Sequence, residues 1–313
     1  MEYSGPIVPP EPPVDHYFQL TNHGSSEAIL YVTSGSSGQI FVNDVYIGKF
    51  SSGAQATFTI PARGIVKITG LTPRGNSYDS GTLTTDSSSN NFSIDQFDVS
   101  ITNPSYMFCK FSGLRTIRSW NGAQNYTGLR DTFAFSSELT TIPTSWEGLE
   151  NITELVGTFN SCALTEIPST WSTLTSVENM GDVFNGCPIT TIPSSWDFPS
   201  IRRMWGTFNT CRNITAIPNS WSGLENVTQM SNVFERCSGI VTGGNNNIEA
   251  LSNVTNFNAC FWGCSSWTGD GQAIYDYMSS KAIEVRKHTD TFAGCTNCVG
   301  WNEIPNTWGG GLN

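Results

Sequence analysis

From about residue 104 onward, apolar residues recur neither at the helical period nor in simple strand alternation, but in one phrase repeated about every 25 residues. Trp146, Trp171, Trp196 and Trp221 lie 25 residues apart, and each ends an Ile-Pro-x-x-Trp step that returns once more at Ile304–Trp308. Apolar residues then follow at Ile152, Val177, Ile201 and Val227, and again at Leu155, Met180, Met204 and Met230. The phrase closes on Phe-x-x-Cys: Phe159 with Cys162, Phe184 with Cys187, Phe208 with Cys211, Phe234 with Cys237, Phe261 with Cys264 and Phe292 with Cys295. Phe133 and Phe108 hold this register upstream, with Ser136 and Phe111 in the cysteine place, so about eight turns can be counted. A unit this short cannot close a core alone, and stacking turns each apolar position into a ladder. Proline fixes φ and keeps its predecessor out of the helical region, so each Ile-Pro predicts an extended step and then a turn. The tryptophans are expected on the back of the coil, each packing on the next. The ladder cysteines are expected to be reduced and buried, as small hydrophobes with a weak S–H donor.

The two ends depart from this phrase. Residues 1–15 carry five prolines and predict an extended arm. From 16 to 103 short alternating runs (17–20, 29–33, 40–42, 45–47, 57–60 and 65–69) are punctuated by Gly, Ser and Asn, as in a small β-sandwich or barrel. Residues 72–91, rich in Ser, Thr, Gly and Asn, read as a long surface loop. Between Cys264 and Phe292 the unit lengthens, and Gln272–Ile283 predicts a short helix with Ile274, Tyr277, Met278 and Ala282 inward, part of an atypical C-terminal cap. The expected fold is therefore mainly β: arm 1–15, sandwich-like domain 16–103, and a leucine-rich-repeat-like solenoid over 104–313.

Charge and composition narrow the partners. Only 13% of the 313 residues are charged and the formal net charge is −11, with basic residues scattered rather than clustered. That balance argues against nucleic acid and against an anionic membrane surface. No apolar run reaches the roughly 18–20 residues of a membrane span. The N-terminus lacks the basic start and apolar stretch of a signal peptide, which favours synthesis in a cytosol or a lost export signal.

The repeat phrase resembles the BspA-type leucine-rich repeats and the related repeats of mycoplasma surface proteins, most clearly from Leu224 through Val227, Met230 and Phe234 to Cys237. The Trp after Ile-Pro is a departure, since the family carries a smaller apolar residue there. Residues 38–48 followed by 58–64 resemble a PEGA-type β-domain. The resemblance implies a surface-exposed binding or adhesion module and implies no reaction.

Candidate chemistry is sparse. Cys260, Cys264, Cys295 and Cys298 have the spacing of a four-thiolate zinc site, but the repeat already accounts for Cys264 and Cys295. A Cys260–Cys298 disulfide is the other alternative. His16, His23 and His288 fall in no recognisable catalytic grouping and read as solvated surface residues. Glu147, Glu150, Glu154, Glu166 and Glu178 are dispersed, unlike a glycosidase pair. Asn-x-Ser/Thr sequons at Asn91, Asn125, Asn151, Asn213, Asn226 and Asn253 read mostly as products of the repeat. No enzymatic activity, cofactor or metal is expected. The expected role is a virion surface component, such as a phage fibre, adhesin or decoration protein. It would attach to other virion or surface proteins through residues 1–103 and present the solenoid to a host-surface protein or glycan. A bacterial or protist cell-surface adhesin is the alternative.

Overall fold

The computed structural model describes residues 16–313 except 76, 79–80, 146–147, 173–174, 245–247 and 281–286. The proline arm and Trp146 therefore lie outside the described residues.

The chain is mainly β. Its first part consists of β1 (Phe18–Asn22), β2 (Ala28–Thr33), β3 (Gly38–Val42), β4 (Val45–Phe50), β5 (Gln55–Ile60), β6 (Ile65–Thr69), β7 (Leu83–Thr85), β8 (Phe92–Gln96) and β9 (Leu114–Ile117). Alternation fixes the inward face: Phe18, Leu20 and Asn22 are buried on β1, and Ala28, Leu30 and Val32 on β2. Asn43 and Asp44 both take positive φ between β3 and β4, the backbone that a two-residue hairpin turn requires. The strands form a six-stranded sheet in the order β4-β3-β6-β1-β8-β9 and a three-stranded sheet β5-β2-β7. β4 and β9 bound the larger sheet at opposite edges, so it does not close into a barrel. The stretch expected to be a loop over 72–91 contains β7, which pairs with β2 through Tyr31 and Thr84. Its Thr-rich sequence conceals a strand whose Leu83 is fully buried.

β9 ties this part to the repeats. It runs parallel to β8, and Thr116 bridges onward, again in parallel, to Thr141 of the next repeat. A second parallel ladder links Gly128 to Glu154, then Asn179, Arg203, Gln229, Asn256 and Lys287, one residue per repeat. Around each column phenylalanine from Phe108 to Phe261, three N–H groups donate to the next coil. In one coil, Asp131 bonds to the Val156 carbonyl, Phe133 to Thr158 and Phe135 to Asn160, at 2.7–3.0 Å. The residues two before and two after each phenylalanine have positive φ throughout, as at Asp131 and Phe135 or Asp182 and Gly186. This left-handed pair aims the N–H groups along the stack.

Phe108, Phe133, Phe159, Phe184, Phe208, Phe234, Phe261 and Phe292 form one column, with adjacent ring centroids 5.6–6.0 Å apart and planes within 19°. The tryptophans do not stand on the back of the coil as expected. They enter the core beside the phenylalanines. Trp196 stacks between Phe184 and Phe208, and Trp221 between Phe208 and Phe234, while the two indoles lie 6.1 Å apart. Trp171 is 5.9 Å from Phe159 and almost fully buried. Both column ends are covered. Phe18 and Phe97 meet Phe108 edge-on, and Trp308 stacks on Phe292.

The cysteine place has a specific task. The thiols of Cys162, Cys187, Cys211, Cys237, Cys264 and Cys295 each donate to the carbonyl of the column phenylalanine one coil earlier, at 2.8–3.2 Å. Ser136 makes the same bond to Phe108 at 3.0 Å. Phe111 belongs to the first coil, before which the column has no phenylalanine carbonyl to satisfy, so an apolar side chain fits. All nine cysteines are buried and none forms a disulfide, Cys260 and Cys298 included. The one α-helix among the described residues, α1 (Gly271–Ser279), is capped by Asp270, whose carboxylate accepts from Ala273 N at 2.8 Å. It buries Ile274 and Met278 and ends at Ser279, while Ala282 and Ile283 of the expected helix lie outside the described residues.

Candidate functional site

The sequence-derived ladder residues lie together, but inside: the phenylalanines from Phe133 to Phe292, the cysteines from Cys162 to Cys237, and Trp171, Trp196 and Trp221 are all buried. They hold the scaffold. The surface chemistry comes from the residues between them.

Two residues before the column phenylalanine, the left-handed positions read Asp131, Gly157, Asp182, Gly206 and Asn232. The alternation has a steric cause. A Cβ on Gly157 would collide with Oδ1 of Asp131, and a Cβ on Gly206 with Oδ1 of Asp182. Each aspartate thus lies against a bare α-carbon of the following coil. Their neighbours are aromatic. Tyr78 and Tyr106, 6.0 Å apart, turn their hydroxyls to Asp131, and Phe135 meets Tyr78 edge-on at 5.0 Å. Trp205 lays its ring over Gly181, the residue before Asp182. Two coils further, Glu235 accepts from Asn232 Nδ2 at 2.5 Å and pairs with Arg236 at 3.7 Å, while the Arg236 guanidinium sits 4.5 Å over the Trp262 ring.

Burial raises the Asp131 carboxyl above its usual range, and the Tyr106 and Tyr78 hydroxyls and Arg130 only partly oppose it. Burial also lifts Asp182 to about 6, helped by the charges of Asp131 and Glu235 and opposed by the 3.1 Å hydrogen bond from Asn185. Tyr78 is pushed to about 12 by burial and by Asp131. Asp131 is almost wholly buried under this face, while Asp182 and Glu235 are half-buried, and partly exposed rings lie beside them.

Other candidates resolve differently. His23 Nε2 lies 2.8 Å from Ser93 Oγ, which donates to Asp95 at 2.7 Å, a grouping the sequence did not suggest. Ser93 is fully buried on β8 and its proton goes to Asp95, so it presents no nucleophile. His288 is not a solvated residue but stacks on Trp308 at 4.3 Å. Asn151, Asn226 and Asn253 donate their side-chain amides to carbonyls one coil earlier, which gives those sequons a structural origin. A groove of about 740 Å³ runs beside Thr140, Thr165 and Thr191. The Thr140 and Thr190 hydroxyls that flank it are committed to Arg115 and Thr165 carbonyls. Among the described residues no group of three or more His, Cys, Asp or Glu could hold a metal ion, and no helix is long and apolar enough to cross a membrane.

A family model described as "Mycoplasma protein of unknown function, DUF285" matches residues 81–191 and again 189–299. The two matches cover most of the chain and start inside the N-terminal part, ahead of β7. They agree with the mycoplasma side of the resemblance carried by the repeat phrase. No curated protein and no solved structure matches the chain.

Proposed function

This chain belongs to the DUF285 family, and we propose that it is a non-enzymatic recognition protein. In this reading its repeats form a leucine-rich-repeat-like solenoid of about eight turns, which presents a binding face, while residues 16–103 form a small β-sandwich at its base. The observation that carries the reading is the row of carboxylates and partly exposed rings at Asp131, Asp182 and Glu235, set on a fully packed column. Such a surface is prearranged, so a partner loses little further protein entropy on docking. A virion surface is the proposed setting, with the N-terminal part attached to neighbouring structural proteins. A cell-surface adhesin is the second reading, favoured by a family described from Mycoplasma. The tagged full-length chain, mixed separately with intact particles and with intact cells and then sedimented, should pellet with one of them. A chain that stays in the supernatant with both would overturn the reading.

A further inference from the structure

Three pairings of a carboxylate with an aromatic ring lie along one face, at every second coil: Asp131 with Tyr78 and Tyr106, Asp182 with Trp205, and Glu235 with Trp262. The third is already filled. Arg236 places its guanidinium over Trp262 and its Nε toward Glu235, which is how such a pairing holds a cation. The first two have the same parts without a resident guanidinium in that place. Arg130 is turned aside to Glu154 at 2.5 Å. Asp131 Oδ1 is buried without a hydrogen-bond partner.

We propose that this face binds an extended, basic peptide segment, with one Arg or Lys at Asp131 and a second, three residues along, at Asp182. The inference deepens the recognition role above and rests on it. Spacing supports it: coils joined by parallel bridges lie about 4.8 Å apart, so alternate coils lie about 10 Å apart. Three residues of extended chain cover about 10 Å, and one polyproline turn about 9 Å. Charge supports it as well, because the chain's formal net charge of −11 draws cations toward a face whose own carboxylates repel one another. Between the pairings, side-chain amides brace the carboxylates: Asn185 Nδ2 donates to Asp182 at 3.1 Å and Asn209 Nδ2 to Glu235 at 3.3 Å. The Asn209 Oδ1 acceptor is buried with no partner. A neutral glycan would use the rings but leave the carboxylates uncompensated.

The test is fluorescence anisotropy of a labelled, otherwise uncharged peptide bearing two arginines separated by two residues, titrated with the full chain at low salt. Binding should weaken about tenfold or more when salt rises to about 0.5 M. Asp131→Asn and Asp182→Asn should each weaken it about fivefold, in line with loss of one cation pairing, and so should placing the arginines side by side. Glu166→Gln, in the threonine groove, should leave it unchanged. Thermal unfolding of each variant confirms that the fold is retained. Affinity unchanged from the parent chain in either aspartate variant, or tighter and salt-insensitive binding of a neutral oligosaccharide, would overturn the assignment. If those variants still sediment with particles or cells as the parent chain does, the recognition role stands and only this site is wrong.

Discussion

The Cys187 thiol donates a 3.0 Å hydrogen bond to the Phe159 carbonyl, one coil earlier in the stack. The same bond recurs in coil after coil, and Ser136 makes it with oxygen in place of sulfur. The position therefore demands a small donor more than it demands sulfur. Cys187→Ser should cost less than about 1 kcal/mol, whereas Cys187→Ala, which leaves both a void and an unpaired buried carbonyl, should cost about 1–3 kcal/mol. Chemical denaturation of the two variants checks the order, and an alanine variant as stable as the serine variant would remove the hydrogen bond from the account.

Thiol reactivity follows from the same burial. Burial pushes Cys187 to about 12 and Cys162 well above its usual range, so thiolate is scarce in the folded chain. A thiol whose folded pKa is raised favours the native state less once the unfolded thiol can ionise. Stability should thus fall as pH climbs from about 9 toward 12. At neutral pH, labelling of the ladder cysteines should proceed only at the rate of unfolding. Rapid modification of Cys187 in native protein would contradict the burial.

Gly206 is required twice over, by its φ of +62° and by the Asp182 carboxylate lying against its α-carbon. Gly206→Ala should cost about 2 kcal/mol from backbone strain and the collision. Asp182→Ala in the same chain should return part of that loss but not the part due to φ. Purely additive effects in a double-mutant cycle would show that the two residues do not touch.

Asp182 also makes a directional pH prediction. Its folded carboxyl titrates at about 6, above its ordinary value of 3.8, so the folded state holds a proton the unfolded state has released. The ionised group is a net cost above pH 6, relieved as pH falls toward 4. At neutral pH Asp182→Asn should raise stability, by about 1 kcal/mol once solvent screening is allowed for. The gain should vanish near pH 4. Melting temperatures of parent and variant across this range decide it.

A chain beginning near Asn103 retains the repeat register but loses β8, the partner of β9, together with Phe97, which stacks on Trp120 at 5.4 Å. Phe108 would lose its covering rings from Phe18 and Phe97. Such a truncation should aggregate or melt well below the parent. Size-exclusion chromatography and circular dichroism of both test this.

The Phe, Cys and Trp register was legible because identical environments recur at a fixed interval, and composition cannot hide a period. The side of the coil that receives the tryptophans was not legible, because a buried and an exposed indole have the same spacing. β7 was concealed by Thr and Ser, which read as loop until β2 supplies its partner. The left-handed pairs flanking each phenylalanine carry Gly in some coils but Asp, Ser, Thr, Arg and even Phe135 in others, so no fixed glycine marks them. Asp131 and Asp182 stand 51 residues apart in sequence, and only the stacking of coils sets them on one face.

The parallel bridge from Glu154 to Asn179 is made again from Asn179 to Arg203, and again from Arg203 to Gln229. A copy of any one unit, inserted between equivalent positions, would meet the same donors above and the same acceptors below. Unequal recombination within the gene can therefore lengthen or shorten this protein by whole coils, changing its reach by about 5 Å each time while leaving both ends intact. The molecule is built as a ruler whose length is open to selection without the invention of a new fold.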